Sequence, residues 1–216
     1  EVGVCSTKTY TGQLLLLSLF ALLMARMRHM SKIEGQAILH AIKALPDQVQ
    51  AILDNAPAIQ EIARLYSHYD NFFFIGRNYM FPTALEAALK LKEIAYINAN
   101  GYAAGELKHG PIALINPSVP TVALAANHTT YEKFLSNVQE VKSRSGPIIA
   151  IAPANAQGRS TRSTLATHTI TIPDTIDELA PILTSVAAQL LAYYIALERG
   201  AEIDKPRNLA KSVTVE

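Results

Sequence analysis

The pattern of apolar and polar positions changes near Asn71, and it predicts a helical part followed by an α/β part. Before Asn71, apolar residues recur at helical spacing and no strand pattern occurs. Two prolines, Pro46 and Pro57, punctuate this part. We therefore expect N-terminal helices over residues 7–30, 32–44 and 48–54.

After Asn71, short apolar runs alternate with helical patterns. Strands are predicted over residues 72–75, 121–125, 147–152 and 167–172, with a short edge strand near Tyr102. Helices are predicted to start near Pro82 and to cover residues 130–143 and 181–198, the last one ended by Gly200. This alternation indicates the α/β class: a doubly wound sheet of about five parallel strands flanked by helices, with an irregular C-terminal tail. Ligands are expected beyond the carboxyl ends of the strands.

One apolar run, residues 14–25, could be mistaken for a membrane segment. It is shorter than the roughly 20 residues that span a bilayer, and Arg26 and Arg28 close it. A signal peptide is also disfavoured, because no basic region precedes the run and no small-residue cleavage site follows it. We expect a buried core helix here. The chain begins without Met and in the middle of a sequence pattern, so we also expect it to be a fragment of a longer protein.

Composition narrows the class of protein. A chain of 216 residues, 50% of them hydrophobic, can bury a sizeable core. The net charge of +1 and the lack of a Lys/Arg cluster argue against nucleic-acid binding. The single cysteine, Cys5, excludes an internal disulfide, which suits a reducing compartment, and we interpret it as a small buried residue.

The sequence also argues against the commonest cofactor sites. The segment that begins at the end of the first predicted strand, residues 74–80, has one glycine where a dinucleotide fingerprint needs three. No phosphate-binding P-loop and no metal-ligand spacing occurs, so we expect neither a metal nor a cofactor.

Three charged residues mark the helical stretch 84–97 as a candidate for chemistry. Helical spacing places Glu86, Lys90 and Glu93 within an arc of roughly 60° on a helix that is otherwise mainly apolar. Buried charges need partners or a purpose. The simpler alternative, a pair of surface salt bridges, stays open at this point.

Two further segments carry candidate groups. Residues 98–111 contain three glycines and a proline, and they present Glu106, Lys108 and His109 on a shaped loop. A fixed imidazole there could transfer a proton, although a loop histidine is often only solvated. The tail, residues 206–216, places Lys211 in an uncharged run, where a packed amine could act as a covalent catalyst and an unpacked one would be an exposed charge.

Long stretches of the chain resemble one enzyme family, the isomerizing glutamine:fructose-6-phosphate aminotransferases or glucosamine-6-phosphate synthases. The resemblance is carried by ALEAALKLKEIAYINANGYAAGELKHGPIALI, by the opening EVGVCSTKTYT and by the tail DKPRNLAKSVTVE. It spans essentially the whole chain. It implies the second of two sugar isomerase (SIS) domains over residues 61–203, preceded over residues 1–60 by the final helix of the first domain and a helical linker, and followed by a catalytic tail over 204–216.

The resemblance also implies a mechanism. Lys211 would form a Schiff base with C2 of open-chain fructose 6-phosphate, and Glu93 would move a proton between C1 and C2. Lys90 would stabilise the developing enolamine oxygen or hold Glu93 ionised, with Glu86 orienting Lys90 in the substrate site. His109 would open the sugar ring, reaching the site from the neighbouring subunit of a homodimer.

Sugar contacts are implied for Val4, Ser6 and Ala210, for which ordinary packing is the alternative. The family's phosphate-binding loop and its glutaminase domain would lie upstream of residue 1, so the fragment by itself would be catalytically incomplete. The resemblance implies a cytoplasmic enzyme of amino-sugar biosynthesis that binds neither nucleic acid nor membrane. A non-catalytic SIS module that senses a sugar phosphate, and a simple aldose-ketose isomerase, remain as alternatives.

Overall fold

Three helices precede an alternating series of strands and helices in the structure, a computed structural model that describes residues 3–154 and 165–210. The helices are α1 (Lys8–Arg28), α2 (Lys32–Asp54), α3 (Ala56–Tyr66), α4 (Met80–Ala95), α5 (Tyr131–Lys142) and α6 (Ala180–Glu198). The strands are β1 (Asn71–Gly76), β2 (Asn98–Ala103), β3 (Thr121–Leu124), β4 (Ile148–Pro153) and β5 (His168–Ile172). Two short 3₁₀ segments, Ala104–His109 and Pro111–Leu114, follow β2.

The five strands form one parallel sheet in the order β2-β1-β3-β4-β5. From β1 the chain first adds β2 on one side and then returns to add β3 on the other, so the direction of winding reverses between β1 and β3. This confirms the predicted α/β class with a doubly wound, five-stranded parallel sheet. A reversal of this kind is where ligands commonly bind in such folds.

Strand β1 shows why the sheet needs helices on both faces. Phe72 and Phe74 belong to the core that contains α3, α4 and α6. The alternate residues, Phe73 and Ile75, belong to a second core that contains α5 and the 3₁₀ segment before His109. Because successive side chains of a strand point to opposite faces, a continuous apolar run is what a strand covered on both sides requires.

Helix α6 forms the centre of the larger core. Thirteen of its residues are buried, and it packs against α3 and α4. It begins with Pro181 in its first turn and ends before Gly200, which has a left-handed φ of +67°. Both ends agree with the sequence prediction, because proline suits a helix start and glycine suits the left-handed residue after a helix end.

The predicted break at Pro46 is wrong. Pro46 lies inside α2, which runs without interruption from Lys32 to Asp54. A proline inside a helix removes one backbone hydrogen bond and crowds the preceding turn. Here Leu45 and Ile52 are buried in the larger core on either side of Pro46, so tertiary packing outweighs the local cost.

Helix α3 is an element to which the sequence pattern assigned no structure. Its buried face consists of Ile59, Ile62, Ala63 and Tyr66, and Pro57 stands in its first turn. This proline starts a helix rather than ending one. The division of the chain into three regions stays a prediction, and the boundary drawn at residue 60 falls inside α3.

The expectation that the apolar run at 14–25 is a buried core helix is also wrong within the described residues. Leu22 is the one buried residue of α1, whereas Leu16, Phe20, Leu23 and Met27 are exposed. The helix is apolar around most of its circumference, and its contacts with α2 and α6 cover one side. By length and composition alone, α1 and α6 could each cross a membrane, but most of α6 is buried inside this fold.

Candidate active site

Helix α4 carries the three charged residues singled out in the sequence. Its run of Ala, Leu, Glu and Lys has high helix propensity. One face is buried against β1, β2 and α6, and it consists of Ala84, Ala87, Ala88, Leu91 and Ile94. Lys90 is buried as well, with 3% of the residue exposed, so its charge is enclosed by the fold and needs partners.

Lys90 finds those partners one turn away in each direction. Its Nζ lies 2.8 Å from Glu93 Oε2 and 3.2 Å from Glu86 Oε1. The contact with Glu86 is ionic without an aligned hydrogen bond, since Glu86 Oε1 is buried and has no hydrogen-bond partner. The side chains of Glu86 and Glu93 are 15% and 21% exposed, which excludes the alternative of ordinary surface salt bridges.

Electrostatics keep Lys90 charged. Burial by itself lowers the pKa of this amine, but the hydrogen bond to Glu93 and the nearby carboxylates outweigh that effect and hold the pKa above its ordinary value. The cluster therefore combines one cation with two carboxylates. Burial and the negative charge of Glu86 also raise the pKa of Tyr10 on α1.

Cys5 joins this cluster from the segment that precedes α1. Its Sγ donates a hydrogen bond to Glu93 Oε2 at 2.8 Å. Burial, followed by the hydrogen bond to Glu93, raises the pKa of the thiol to about 12. The interpretation of Cys5 as a small buried residue is confirmed, but its contact with Glu93 was missed, because 88 positions separate the two residues and no local pattern connects them.

A cavity of about 340 Å³ opens beside the cluster. Cys5 and Lys90 line it together with Gln189 of α6 and Asp204 of the C-terminal segment. Four separate parts of the chain, the segment before α1, α4, α6 and the C-terminal segment, thus meet at one concave surface, which is the common arrangement of a small-molecule site. Val4 and Ser6, the predicted sugar contacts, are half-buried and flank Cys5.

The C-terminal segment is anchored at the end of α4. The backbone N–H of Arg207 donates to the hydroxyl of Tyr96 at 2.9 Å, and the Arg207 guanidinium lies 4.4 Å from the centre of the Tyr96 ring. Tyr96 is three residues beyond Glu93 and adopts a left-handed φ of +58°. Ala210 is exposed, and Lys211 lies outside the described residues.

His109 stands apart from the cluster within this chain. It ends the 3₁₀ segment Ala104–His109, its side chain is 74% exposed, and its Nε2 lies 3.8 Å from Glu106 Oε2. The neighbouring Lys108 pairs with Glu140 of α5 at 2.9 Å. The predicted loop is therefore β2 followed by a 3₁₀ turn that ends at Gly110, whose φ of +136° favours glycine.

Among residues 3–154 and 165–210, no group of three or more His, Cys, Asp or Glu side chains could hold a metal ion. Cys5 and Lys90 line the cavity, and Glu86 and Glu93 contact Lys90 beside it. A carboxylate held by an ammonium group next to a partly enclosed cavity is suited to moving protons on a bound molecule.

Comparison with known proteins places the chain in a family. The model of the SIS domain matches residues 65–199. The chain is 49% identical over 220 residues to a glutamine–fructose-6-phosphate aminotransferase [isomerizing] of Gloeobacter violaceus, and 44% identical over 217 residues to that of Bacteroides thetaiotaomicron. Each alignment covers 100% of this chain and 35% of the relative, so the chain spans about a third of the length of these proteins.

A solved structure agrees with these matches. The C-terminal domain of glucosamine-fructose-6-phosphate aminotransferase from Francisella tularensis superposes with a TM-score of 0.90 at 34% identity, covering 95% of this chain and 58% of that one. The whole chain is thus similar to the C-terminal third of these aminotransferases, and it belongs to the SIS domain family.

Proposed function

We propose that this chain is the C-terminal part of an isomerase that converts fructose 6-phosphate and glutamine-derived ammonia into glucosamine 6-phosphate. The observation that carries the proposal is the buried cluster of Glu86, Lys90 and Glu93 beside a cavity lined by four parts of the chain. The chain is similar along its whole length to the C-terminal third of glutamine–fructose-6-phosphate aminotransferases. This similarity supports fructose 6-phosphate as the substrate.

The proposed reaction gives roles to Lys211 and to Glu86, Lys90 and Glu93. The Lys211 amine condenses with the C2 ketone, releasing water and forming an imine, and ammonia then displaces the lysine from C2. Isomerisation moves one proton from C1 to C2, and Glu93 is the carboxylate that carries it. The C1 hydroxyl gives its proton to the imine nitrogen in the same conversion, so C1 becomes the aldehyde and C2 carries the amine. Lys90, kept charged by its two carboxylates, stabilises negative charge that develops on the sugar oxygen. Glu86 holds Lys90 in place.

The remaining predicted residues complete the proposed site. Val4 and Ser6 contact the sugar from the segment that also carries Cys5, and Ala210 does so from the tail beside Lys211. His109 opens the sugar ring in the site of a second subunit of a homodimer. Its exposed side chain supports this arrangement, because an imidazole that serves a partner must be accessible on its own subunit. Ammonia arrives from an upstream glutaminase domain, and we place the enzyme in the cytoplasm.

Trapping of the imine tests this proposal. The full-length protein is incubated with fructose 6-phosphate and borohydride, and its mass is compared with those of Lys211→Ala and a control, Lys205→Ala, which removes an exposed amine from the same tail. We expect a sugar-phosphate adduct on the wild type and on Lys205→Ala, and none on Lys211→Ala. A protein that binds the sugar phosphate without forming an adduct would instead be a sensor module or an isomerase without covalent catalysis.

A further inference from the structure

The two hydrogen-bond donors of the Glu93 carboxylate converge on one of its oxygens. Lys90 Nζ and Cys5 Sγ each lie 2.8 Å from Oε2. Within the part of the chain that the structure describes, Oε1 accepts no hydrogen bond. The carboxylate is thus held at one oxygen and left available at the other. This division suits a base that transfers a proton, because the anchored oxygen fixes the geometry and the free one can reach the substrate.

The two donors come from different places in the fold. Lys90 lies on the same helix as Glu93, so their contact fixes the carboxylate relative to α4 alone. Cys5 lies on the segment before α1, which also lines the cavity. Its hydrogen bond therefore ties the position of Glu93 to the wall of the cavity. Without it, rotation of the Glu93 side chain about its remaining contact would be less restricted.

The thiol is suited to donation and poorly suited to attack. Burial and the Glu93 carboxylate raise the pKa of Cys5 to about 12, so the group keeps its proton at neutral pH. A protonated thiol is a hydrogen-bond donor, and the nucleophilic form is scarce. A covalent role for Cys5 is accordingly disfavoured by its own surroundings.

We propose that Cys5 is a positioning residue, whose S–H hydrogen bond holds Glu93 Oε2 so that Oε1 faces the C1 and C2 carbons of the bound sugar. The inference rests on the proposed function, and it adds to that function a residue outside the predicted catalytic set. Cys5 does not touch the reacting atoms in this scheme. It acts through Glu93, so its effect falls on proton transfer and not on imine formation.

Three variants of the full-length enzyme test the role of Cys5. Cys5→Ala removes the donor, Cys5→Val removes it while filling the volume of the thiol, and Cys5→Ser keeps a donor of similar size. We expect kcat for glucosamine 6-phosphate formation to fall about tenfold in the Ala and Val variants, with KM for fructose 6-phosphate changed less than about twofold. Cys5→Ser should recover most of the lost kcat, which a purely structural role would not predict.

Borohydride trapping separates this inference from the proposed function. Imine formation does not use Glu93, so Cys5→Ala and Cys5→Val should form as much adduct as the wild type. If adducts form and both variants keep the wild-type kcat, the role of Cys5 is refuted while the proposed function stands. The role is equally refuted if Cys5→Ser is as slow as Cys5→Val. If the wild type forms no adduct, the proposed function itself fails.

Discussion

At the scale of single residues, the structure assigns an electrostatic task to Lys90. Its single charge is shared between two carboxylates that are each more than three-quarters buried. Lys90→Ala would leave Glu86 and Glu93 facing each other without a cation. Removing one partner from a buried ion pair typically costs about 3–5 kcal/mol, because the remaining charge stays desolvated. Since both carboxylates keep some exposure, we expect the free energy of unfolding to fall by about 3 kcal/mol.

A matched variant on the same helix provides the comparison. Lys92 is exposed, so Lys92→Ala should change the free energy of unfolding by less than about 0.5 kcal/mol. Urea denaturation followed by circular dichroism measures both variants. Equal and small effects would mean that Lys90 is solvated and that the cluster is not enclosed.

The raised pKa of Cys5 leads to a prediction about its reactivity. With a pKa of about 12, the thiolate fraction at pH 8 is on the order of one in ten thousand. We expect iodoacetamide to modify native Cys5 at least tenfold more slowly than the urea-unfolded chain, where the pKa returns towards 9.0. Intact mass gives the rate directly, because the chain has one cysteine. Equally fast labelling in both states would contradict the buried hydrogen bond to Glu93.

The raised pKa of Cys5 also predicts how the stability of the fold changes at alkaline pH. The folded pKa of Cys5 lies above its ordinary value of 9.0, so the thiol contributes stability that is complete below pH 9 and is lost as the pH rises towards 12. Lys90, Tyr10 and Tyr66 also have raised pKa values, so their contributions weaken on the same side. These four groups cause no comparable loss of stability when the pH is lowered.

The part of the site that could be predicted consists of residues that lie close together in sequence on one helix. Glu86, Lys90 and Glu93 are three or four positions apart, and helical spacing alone brings such residues together. Cys5 was outside that reach, since its contact depends on how the segment before α1 packs onto α4. Lys211 remains a prediction from resemblance, because it lies outside the described residues.

At the scale of elements, Pro46 shows that tertiary packing can outweigh the low helix propensity of proline. α2 carries this proline in its interior, where proline is about 3 kcal/mol less favourable than alanine. Pro46→Ala should therefore raise the free energy of unfolding, by about 1–3 kcal/mol because the surrounding helix has adapted to the ring. Pro57 stands in the first turn of α3, where proline costs nothing in hydrogen bonds.

This difference supplies the control for Pro46→Ala. Pro57→Ala should leave the free energy of unfolding unchanged or lower it slightly, since alanine frees the unfolded chain. Thermal denaturation of the two variants under the same conditions measures both changes in stability. Stabilisation of similar size in both would show that the effect is not specific to the helix interior.

At the scale of the whole molecule, the sheet was predictable and the environment of α1 was not. Strands β1, β3 and β4 are short apolar runs and β5 alternates, so their order with the helices can be read from the sequence without knowledge of contacts. The polar strand β2 gave a weaker signal and was predicted only as a short edge strand near Tyr102. The burial of a helix is different, because it depends on what lies beside it in three dimensions. α6 and α1 are both strongly apolar, yet most of α6 is covered by the fold and most of α1 is not.

The uncovered side of α1 predicts how the 216-residue chain behaves alone. Leu16, Phe20, Leu23 and Met27 recur at helical spacing and are 57–72% exposed, forming one apolar stripe. A stripe of this kind favours association, because each apolar residue removed from water contributes about 1.5–3 kcal/mol on full burial. We expect the chain to self-associate at micromolar concentration and Phe20→Glu combined with Leu23→Glu to shift it towards monomer, as measured by analytical ultracentrifugation. Leu22 points into the fold, so Leu22→Glu should unfold the chain instead. A wild-type chain that stays monomeric at these concentrations would show that the stripe is covered in solution.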